Sequence, residues 1–191
     1  MWFGIIICGI AAALLTQPHA EPPGITTLDG RAVDPLRAHD EARATVLVFT
    51  RTDCPVANRA APEIERIRAL YADRGVRFWL VYVDPQEPAG RVRAHMDEYA
   101  LRVQAIRDPG HALVRQAGVQ VTPEAALYVH DEDGSRLVYR GRLDDRVATL
   151  GRQRPNATRF DLREAIESTL AGRTSTLVTT PAAGCAIADL R

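Results

Sequence analysis

A single cysteine, Cys54, stands between an apolar run and a stretch with the apolar spacing of a helix. Residues 46–50 predict a buried strand, and residues 58–71 predict an amphipathic helix. Pro55 suits the first position of a helix, so Cys54 is predicted to lie at a helix N-terminus. There the free N–H groups and the helix dipole favour the thiolate, which is the reactive form of cysteine. This placement favours redox chemistry over the alternative of a buried structural cysteine.

Length and charge exclude several kinds of protein. A chain of 191 residues is long enough for one domain with a sizeable core. The 24 basic and 24 acidic side chains give a formal net charge of zero. Since there is no net field, nucleic acid and an anionic membrane surface are not favoured as partners.

The N-terminus has features of a targeting segment. An apolar run near the start is too short to span a bilayer, and Ala20 is a small residue suited to precede a cleavage site. We predict that residues 1–20 are a signal peptide, with an uncleaved membrane anchor as the alternative. Cys8 belongs to this segment, so the mature chain holds Cys54 and Cys185. An even number of cysteines in a periplasmic or secreted bacterial protein is compatible with a disulfide.

Strands and helices alternate along the rest of the chain. The pattern predicts, in order, a hairpin over 26–33, a strand over 46–50, a helix over 58–71, a strand over 76–84, a helix over 89–99, a strand over 103–108, a helix over 111–117, a β-hairpin of 125–130 with 136–140, and a helix over 160–171. This order predicts an α/β sandwich with a mixed sheet. Residues 21–173 are predicted to form the domain and residues 174–191 an irregular tail.

Three local motifs carry a resemblance to the thioredoxin fold. Cys54-Pro55 lies where thioredoxin-like proteins place their attacking cysteine, and Pro62 lies where they carry a helix-kinking proline. Thr122-Pro123, directly before a predicted strand, resembles the cis-proline element of that fold. More narrowly, residues 49–63 (FTRTDCPVANRAAPE) resemble a bacterial redoxin group related to the alkyl-hydroperoxide-reductase/thiol-specific-antioxidant and TlpA-like families. The resemblance implies a thioredoxin-like three-layer sandwich with a central mixed β-sheet flanked by helices.

The motif departs from its better-known relatives in ways that bear on the chemistry. Thioredoxins carry a second cysteine where this chain has Ala57, so no disulfide can form within the loop. Peroxiredoxins carry a threonine where this chain has Arg51. Copper chaperones of the Sco type use two cysteines in one loop and a histidine, whereas this loop holds one cysteine.

The resemblance implies an exported thiol-dependent oxidoreductase of the redoxin class. Cys54 is expected to attack a disulfide or a peroxide, and Cys185 to resolve the intermediate. Thr122 and Pro123 are expected to offer backbone groups to an extended substrate. The implied partner is a thiol or disulfide protein or a small peroxide, with no cofactor. Contact with a membrane would come only through an uncleaved N-terminal segment.

Two alternatives stay open at this point. Cys54 and Cys185 could instead supply soft thiolate ligands in a copper-binding or metallochaperone protein. The chain could also be a catalytically silent scaffold, with Cys185 an incidental tail cysteine. No metal site is predicted, because the histidines lack ligand spacing and are expected at surface or half-buried positions: His39, His95, His111 and His130. Asp53 is expected to cap the helix, and Asp144 with Asp145 to cap a helix or turn.

The resolving role makes a geometric prediction. A disulfide needs Cα atoms within about 4.4–6.8 Å, so the tail must bring Cys185 close to Cys54. Gly184 suits a close approach because it has no side chain. Ile187 and Leu190 are expected to anchor the tail on apolar surface.

Overall fold

The computed structural model of the protein describes residues 24–37, 42–149, 151–173 and 176–188. The predicted signal peptide over residues 1–20, His39 and the predicted anchor Leu190 lie outside these ranges. Within the described ranges, no helix has the length and apolar character needed to cross a membrane.

A central mixed sheet organises the fold. The strands are β1 (Thr26–Thr27), β2 (Ala44–Thr50), β3 (Val76–Tyr82), β4 (Gln104–Arg107), β5 (Val121–Thr122), β6 (Glu124–Asp131), β7 (Gly134–Gly141), β8 (Val147–Thr149), β9 (Arg152–Gln153), β10 (Val178–Thr179) and β11 (Cys185–Ala186). Among the described residues, seven of them form the central sheet in the order β1-β4-β3-β2-β6-β7-β10, and β5 with β11 and β8 with β9 form two further pairs. The helices are α1 (Pro55–Tyr71), α2 (Ala89–Glu98), α3 (Ala112–Ala117) and α4 (Asp161–Leu170). The predicted α/β sandwich with a central mixed sheet is confirmed.

Strand β2 explains why an apolar run precedes Cys54. It pairs in parallel with β3 and antiparallel with β6, and all seven of its residues are buried. Its alternate side chains face opposite sides of the sheet. Val46 and Val48 pack in the cluster that includes residues of α1, α2 and α4. Leu47 and Phe49 pack in the cluster that includes residues of α3. The two clusters are the interfaces between the three layers.

Helix α1 begins at Pro55, earlier than the predicted start at residue 58. Proline has the φ angle of the first helical turn and lacks only an N–H that would have no helical partner there. Pro62 lies inside the helix, and Ile64 and Ile67 are among its buried residues. A 3₁₀ turn follows, and Gly75, at φ 73°, ends the segment in the left-handed region.

The predicted irregular tail is wrong in part, because it contains two short strands. Strand β10 extends the central sheet by pairing in parallel with β7, and Val178 lies opposite Tyr139. Strand β11 pairs antiparallel with β5, and Cys185 lies opposite Thr122. Strands of two residues show no alternation of apolar and polar positions, so their sequence carries no strand signal.

Candidate redox site

Cys54 and Cys185 form a disulfide across 131 residues of sequence, with their Cα atoms 6.0 Å apart. This confirms the predicted proximity of the two cysteines. Cys54 is the N-cap residue of α1, has an extended backbone and is 0% exposed. Cys185, on β11, is partly exposed. The strand β2, the turn that follows it and the start of α1 therefore hold one sulfur inside the protein, and the tail holds the other near its surface.

The tail is held against β5 on both sides of Cys185. Ile187 donates its N–H to the carbonyl oxygen of Gln120 at 2.9 Å, and its side chain is buried in the core cluster that includes α3. The predicted anchoring role of Ile187 is confirmed. On the other side, Gly184 packs directly on the backbone of Thr122, where a Cβ atom would overlap the carbonyl oxygen.

We expect Gly184→Ala to weaken the disulfide, because its Cβ atom would meet backbone that cannot move aside like a flexible side chain. The equilibrium constant for closing the disulfide should fall roughly tenfold, since overpacking costs about 1–3 kcal/mol. The measurement is the ratio of disulfide to dithiol in buffers of defined thiol and disulfide content. Gly90→Ala in α2 is the control, because a Cβ atom there meets nothing within 4 Å. Equal ratios for the two variants would contradict the close approach.

The peptide bond between Thr122 and Pro123 is cis, as predicted. The carbonyl oxygen of Thr122 lies 3.0 Å from the Cys54 sulfur, so the cis-proline turn borders the disulfide. The tail strand β11 takes the pairing positions of Val121 and Thr122. An extended substrate cannot pair with the same backbone groups while the disulfide is closed. The substrate-binding role of Thr122 and Pro123 stays a prediction.

A buried polar network lies behind the Cys54 turn, and the sequence did not reveal it. The side-chain amide of Asn58 donates to the carbonyl oxygen of Thr52 at 3.0 Å. Its oxygen lies 2.9 Å from His95 Nε2, and His95 Nδ1 lies 2.9 Å from the hydroxyl of Tyr82. The expected surface or half-buried position of His95 is wrong, because its ring is enclosed between α2, α1 and β3 with 6% exposure. The same prediction fails for His111, which is buried while its Nε2 donates to the carbonyl oxygen of Val83.

These contacts fix the protonation of His95. The Asn58 amide nitrogen donates to a carbonyl, so the Asn58 oxygen is the acceptor facing the histidine. His95 Nε2 therefore carries the proton, and Nδ1 accepts a hydrogen bond from Tyr82. Burial lowers the pKa of His95, although the nearby carboxylates of Glu87 and Glu98 oppose this shift. A second proton on the ring would remove the acceptor that Tyr82 uses.

We expect the folded protein to lose stability as the pH falls below about 7. A histidine whose folded-state pKa lies below its unfolded value of about 6.5 binds a proton more readily in the unfolded chain. Acidification towards the lowered pKa of His95 therefore favours unfolding. The measurement is the urea midpoint of the oxidised protein at pH 7.5, 6.5 and 5.5. In His95→Gln the dependence on pH over this range should flatten, and an unchanged slope would contradict the assignment to His95.

The predicted cap of α1 by Asp53 is wrong. The N-cap position belongs to Cys54, and no side chain in the described ranges caps the helix. Asp53 lies one residue before the cap and instead accepts a hydrogen bond from Arg51 at 3.0 Å. Arg51 also lies 3.5 Å from Asp84. The first-turn N–H groups of α1 therefore have no side-chain acceptor among the described residues.

The prediction that Asp144 and Asp145 cap a turn is confirmed. Asp144 accepts the N–H of Arg146 at 2.8 Å. Asp145 accepts the N–H groups of Thr158 at 2.7 Å and Arg159 at 3.0 Å. The hydrogen bonds from Thr158 and Arg159 hold the pKa of Asp145 well below its usual range. Both carboxylates thus hold backbone in place.

No group of three or more histidine, cysteine or acidic side chains that could hold a metal ion occurs in the part of the chain that the structure describes.

The sequence profile of the Redoxin family matches residues 23–157, which include Cys54 and the cis-proline turn. The chain belongs to the Redoxin family. An uncharacterized conserved protein from Geobacillus kaustophilus has a similar structure, with a TM-score of 0.68 and 24% identity over 88% of each chain. A thioredoxin-like protein from Aeropyrum pernix has a TM-score of 0.52 and 18% identity, over 75% of this chain and 87% of that one. The redoxin therefore has the thioredoxin-like fold that its motifs implied.

A curated relative matches part of the chain. The thiol-disulfide oxidoreductase ResA of Halalkalibacterium halodurans is 28% identical over 87 residues, which are 46% of this redoxin and 48% of that protein. The chain thus matches about half the length of this relative.

Proposed function

We propose that this redoxin is a thiol-disulfide oxidoreductase that cycles between the Cys54–Cys185 disulfide and the corresponding dithiol. The observation that carries the proposal is the disulfide itself, which joins a helix N-cap to a tail strand beside a cis-proline turn. A disulfide that only staples a fold needs no helix N-terminus. The likeness to a thiol-disulfide oxidoreductase over 87 residues supports the same chemistry.

The start of α1 suits Cys54 for the thiolate form. The helix dipole and the free first-turn N–H groups favour negative charge at that sulfur. No described side chain competes for those N–H groups. In the reductive half of the cycle, Cys54 is the better leaving group, because the helix N-terminus stabilises the thiolate that departs.

The two cysteines differ in exposure, which favours one of them as the point of attack. Cys54 is 0% exposed, whereas Cys185 is partly exposed. An external thiolate therefore attacks the Cys185 sulfur, a new disulfide forms there, and the Cys54 thiolate is released. In the reverse half of the cycle, the reduced protein passes its electrons to an oxidised partner and the internal disulfide closes again. We infer that the reaction takes place outside the cytoplasm, because disulfides persist in oxidising compartments.

A redox titration tests this function. The protein is equilibrated in buffers with different ratios of reduced to oxidised dithiothreitol. Its free thiols are then alkylated and counted by mass spectrometry. We expect one two-electron transition that releases the thiols of Cys54 and Cys185 together, and thiol-dependent turnover of a model disulfide. A disulfide that opens without any turnover would contradict the proposal. A parallel arm with hydrogen peroxide decides whether a peroxide can be the oxidant, since it would give Cys54 sulfenic acid and then the internal disulfide with release of water.

A further inference from the structure

A cleft runs along the side of α1 from the cis-proline turn towards the segment that follows β7. Its end near the disulfide is bordered by Pro123 and Ala183. Its other lining residues include Arg59 and Glu63 of α1 and Arg146 of the segment after β7. Pro123 follows the carbonyl that contacts the Cys54 sulfur, and Ala183 lies just before the glycine that precedes Cys185. We call this space the α1 cleft.

Glu63 gives the α1 cleft an acceptor without a donor. The residue is 4% exposed, and one carboxylate oxygen, Oε2, accepts a hydrogen bond from Arg66 Nε at 2.9 Å. The other oxygen, Oε1, is buried and has no hydrogen-bond partner among the described residues. A buried acceptor left without a partner costs stability, and the cost is larger for a charged group. A ligand that brings an N–H group into the cleft would supply the missing donor.

Arginine side chains on the cleft wall supply hydrogen-bond donors. The Nε atom of Arg146 is buried and has no partner among the described residues. Its terminal nitrogen forms an ion pair with Asp144, which also lines the cleft, at 3.6 Å. Arg59 is exposed on the same wall. The α1 cleft therefore offers sites for a cationic donor and for an anionic acceptor on one small molecule.

We propose that the α1 cleft binds the reductant of the disulfide, a low-molecular-weight thiol that carries both an ammonium group and a carboxylate. This inference rests on the proposed function. An extended peptide is disfavoured because β11 occupies the pairing positions of Val121 and Thr122. A small thiol needs neither position, because Cys185 is partly exposed and Ala183, two residues before it, lines the cleft.

Two donor thiols take part in the reduction of the disulfide. The donor thiolate attacks Cys185 Sγ, the bond to Cys54 breaks, and Cys54 leaves as a thiolate. A second donor thiolate attacks the donor sulfur of the mixed disulfide and releases Cys185 as a thiolate. Solvent supplies the protons that convert these groups to thiols. Two donor thiols are oxidised to one donor disulfide, and the protein disulfide is reduced to two thiols.

Four small thiols test the inference by how fast they reduce the oxidised protein. Cysteine carries both charged groups, cysteamine only the ammonium, 3-mercaptopropionate only the carboxylate, and 2-mercaptoethanol neither. Rates are divided by thiolate concentration, because the thiolate is the attacking species. We expect cysteine to be at least roughly tenfold faster than 2-mercaptoethanol and to saturate, since hydrogen bonds to charged groups are the stronger ones and cysteine can form them through both of its charged groups.

Glu63→Gln should lower the rate with cysteine to that with 3-mercaptopropionate and the rate with cysteamine to that with 2-mercaptoethanol, and leave the rate with 3-mercaptopropionate unchanged. Glu98→Gln is the matched control, because Glu98 is exposed on α2 and does not line the cleft. A second measurement uses only the wild-type protein, so it does not require any variant to fold. S-methylcysteine, which has no thiol, should slow the reaction of cysteine with the wild-type protein and leave that of 2-mercaptoethanol less affected.

The arms separate the two proposals. Equal corrected rates for the four thiols, with no inhibition by S-methylcysteine, would overturn the α1 cleft as a thiol site while leaving the oxidoreductase function intact. The thiol site would also be overturned if an extended peptide that contains cysteine reduced the oxidised protein faster than free cysteine does. Failure of dithiothreitol to open the disulfide would instead defeat the proposed function, and this arm is run first.

Discussion

Cys54→Ser is expected to reduce thiol-dependent turnover of a model disulfide to the uncatalysed background. The change removes the sulfur held at the helix N-terminus, and serine cannot form or release a disulfide. The measurement is the initial rate with dithiothreitol as the electron donor, on protein that circular dichroism shows to be folded. Glu98→Gln is the control, because Glu98 is exposed on α2, and its rate should equal that of the wild type.

The companion variant Cys185→Ser separates the roles of the two sulfurs. It leaves Cys54 without an internal partner, so a mixed disulfide with the substrate should accumulate and be visible by mass spectrometry. Its turnover should also fall, because an external thiol must replace the internal one. Full activity of Cys185→Ser would leave a mechanism with one cysteine and contradict the resolving role.

Reduction of the disulfide is expected to lower the free energy of unfolding by up to about 5 kcal/mol, since a cross-link over so long a loop removes much chain entropy from the unfolded state. The two cysteines are 131 positions apart in the sequence. This is a large share of the roughly 5–15 kcal/mol that stabilises an ordinary domain. The measurement is urea unfolding of the oxidised protein and of the protein kept in dithiothreitol, with the midpoint and slope fitted together.

The double variant Cys54→Ser/Cys185→Ser provides the control for this comparison. It should unfold like the reduced wild-type protein and show no response to dithiothreitol. If the oxidised and reduced proteins had the same midpoint, the disulfide would not constrain the unfolded chain and the entropic account would fail.

The layers of the fold were predictable because their signals are local. The buried run of β2 and the apolar spacing of α1 indicate a strand and a helix without any knowledge of their neighbours. The short strands of the tail were not predictable, since β10 and β11 exist only through their pairing with β7 and β5. Such pairing depends on residues distant in sequence, which no local pattern records.

The residues of the candidate site also differ in whether the sequence predicts them. Cys54 and the cis-proline turn could be predicted because each lies in a short motif at the end of an element. Glu63 and His95 could not, because each is a polar residue beside an apolar stripe on a helix that looks solvent-facing in sequence. In the fold, Glu63 is buried beside a cleft that the segment after β7 also lines, and His95 is enclosed by its contacts with α1 and β3.

Strand β10 makes the tail a short tether. Thr180, the residue after β10, donates its N–H to the carbonyl oxygen of Arg140 at 3.0 Å, and its hydroxyl lies 2.6 Å from that of Tyr139. From Thr180 to Cys185 a fully stretched chain reaches about 18 Å, at about 3.6 Å for each residue. When the disulfide opens while β10 holds, Cys185 can therefore travel only this far, and its local concentration near Cys54 is on the order of millimolar. Any external thiol or disulfide that takes part in the cycle must compete with this built-in partner.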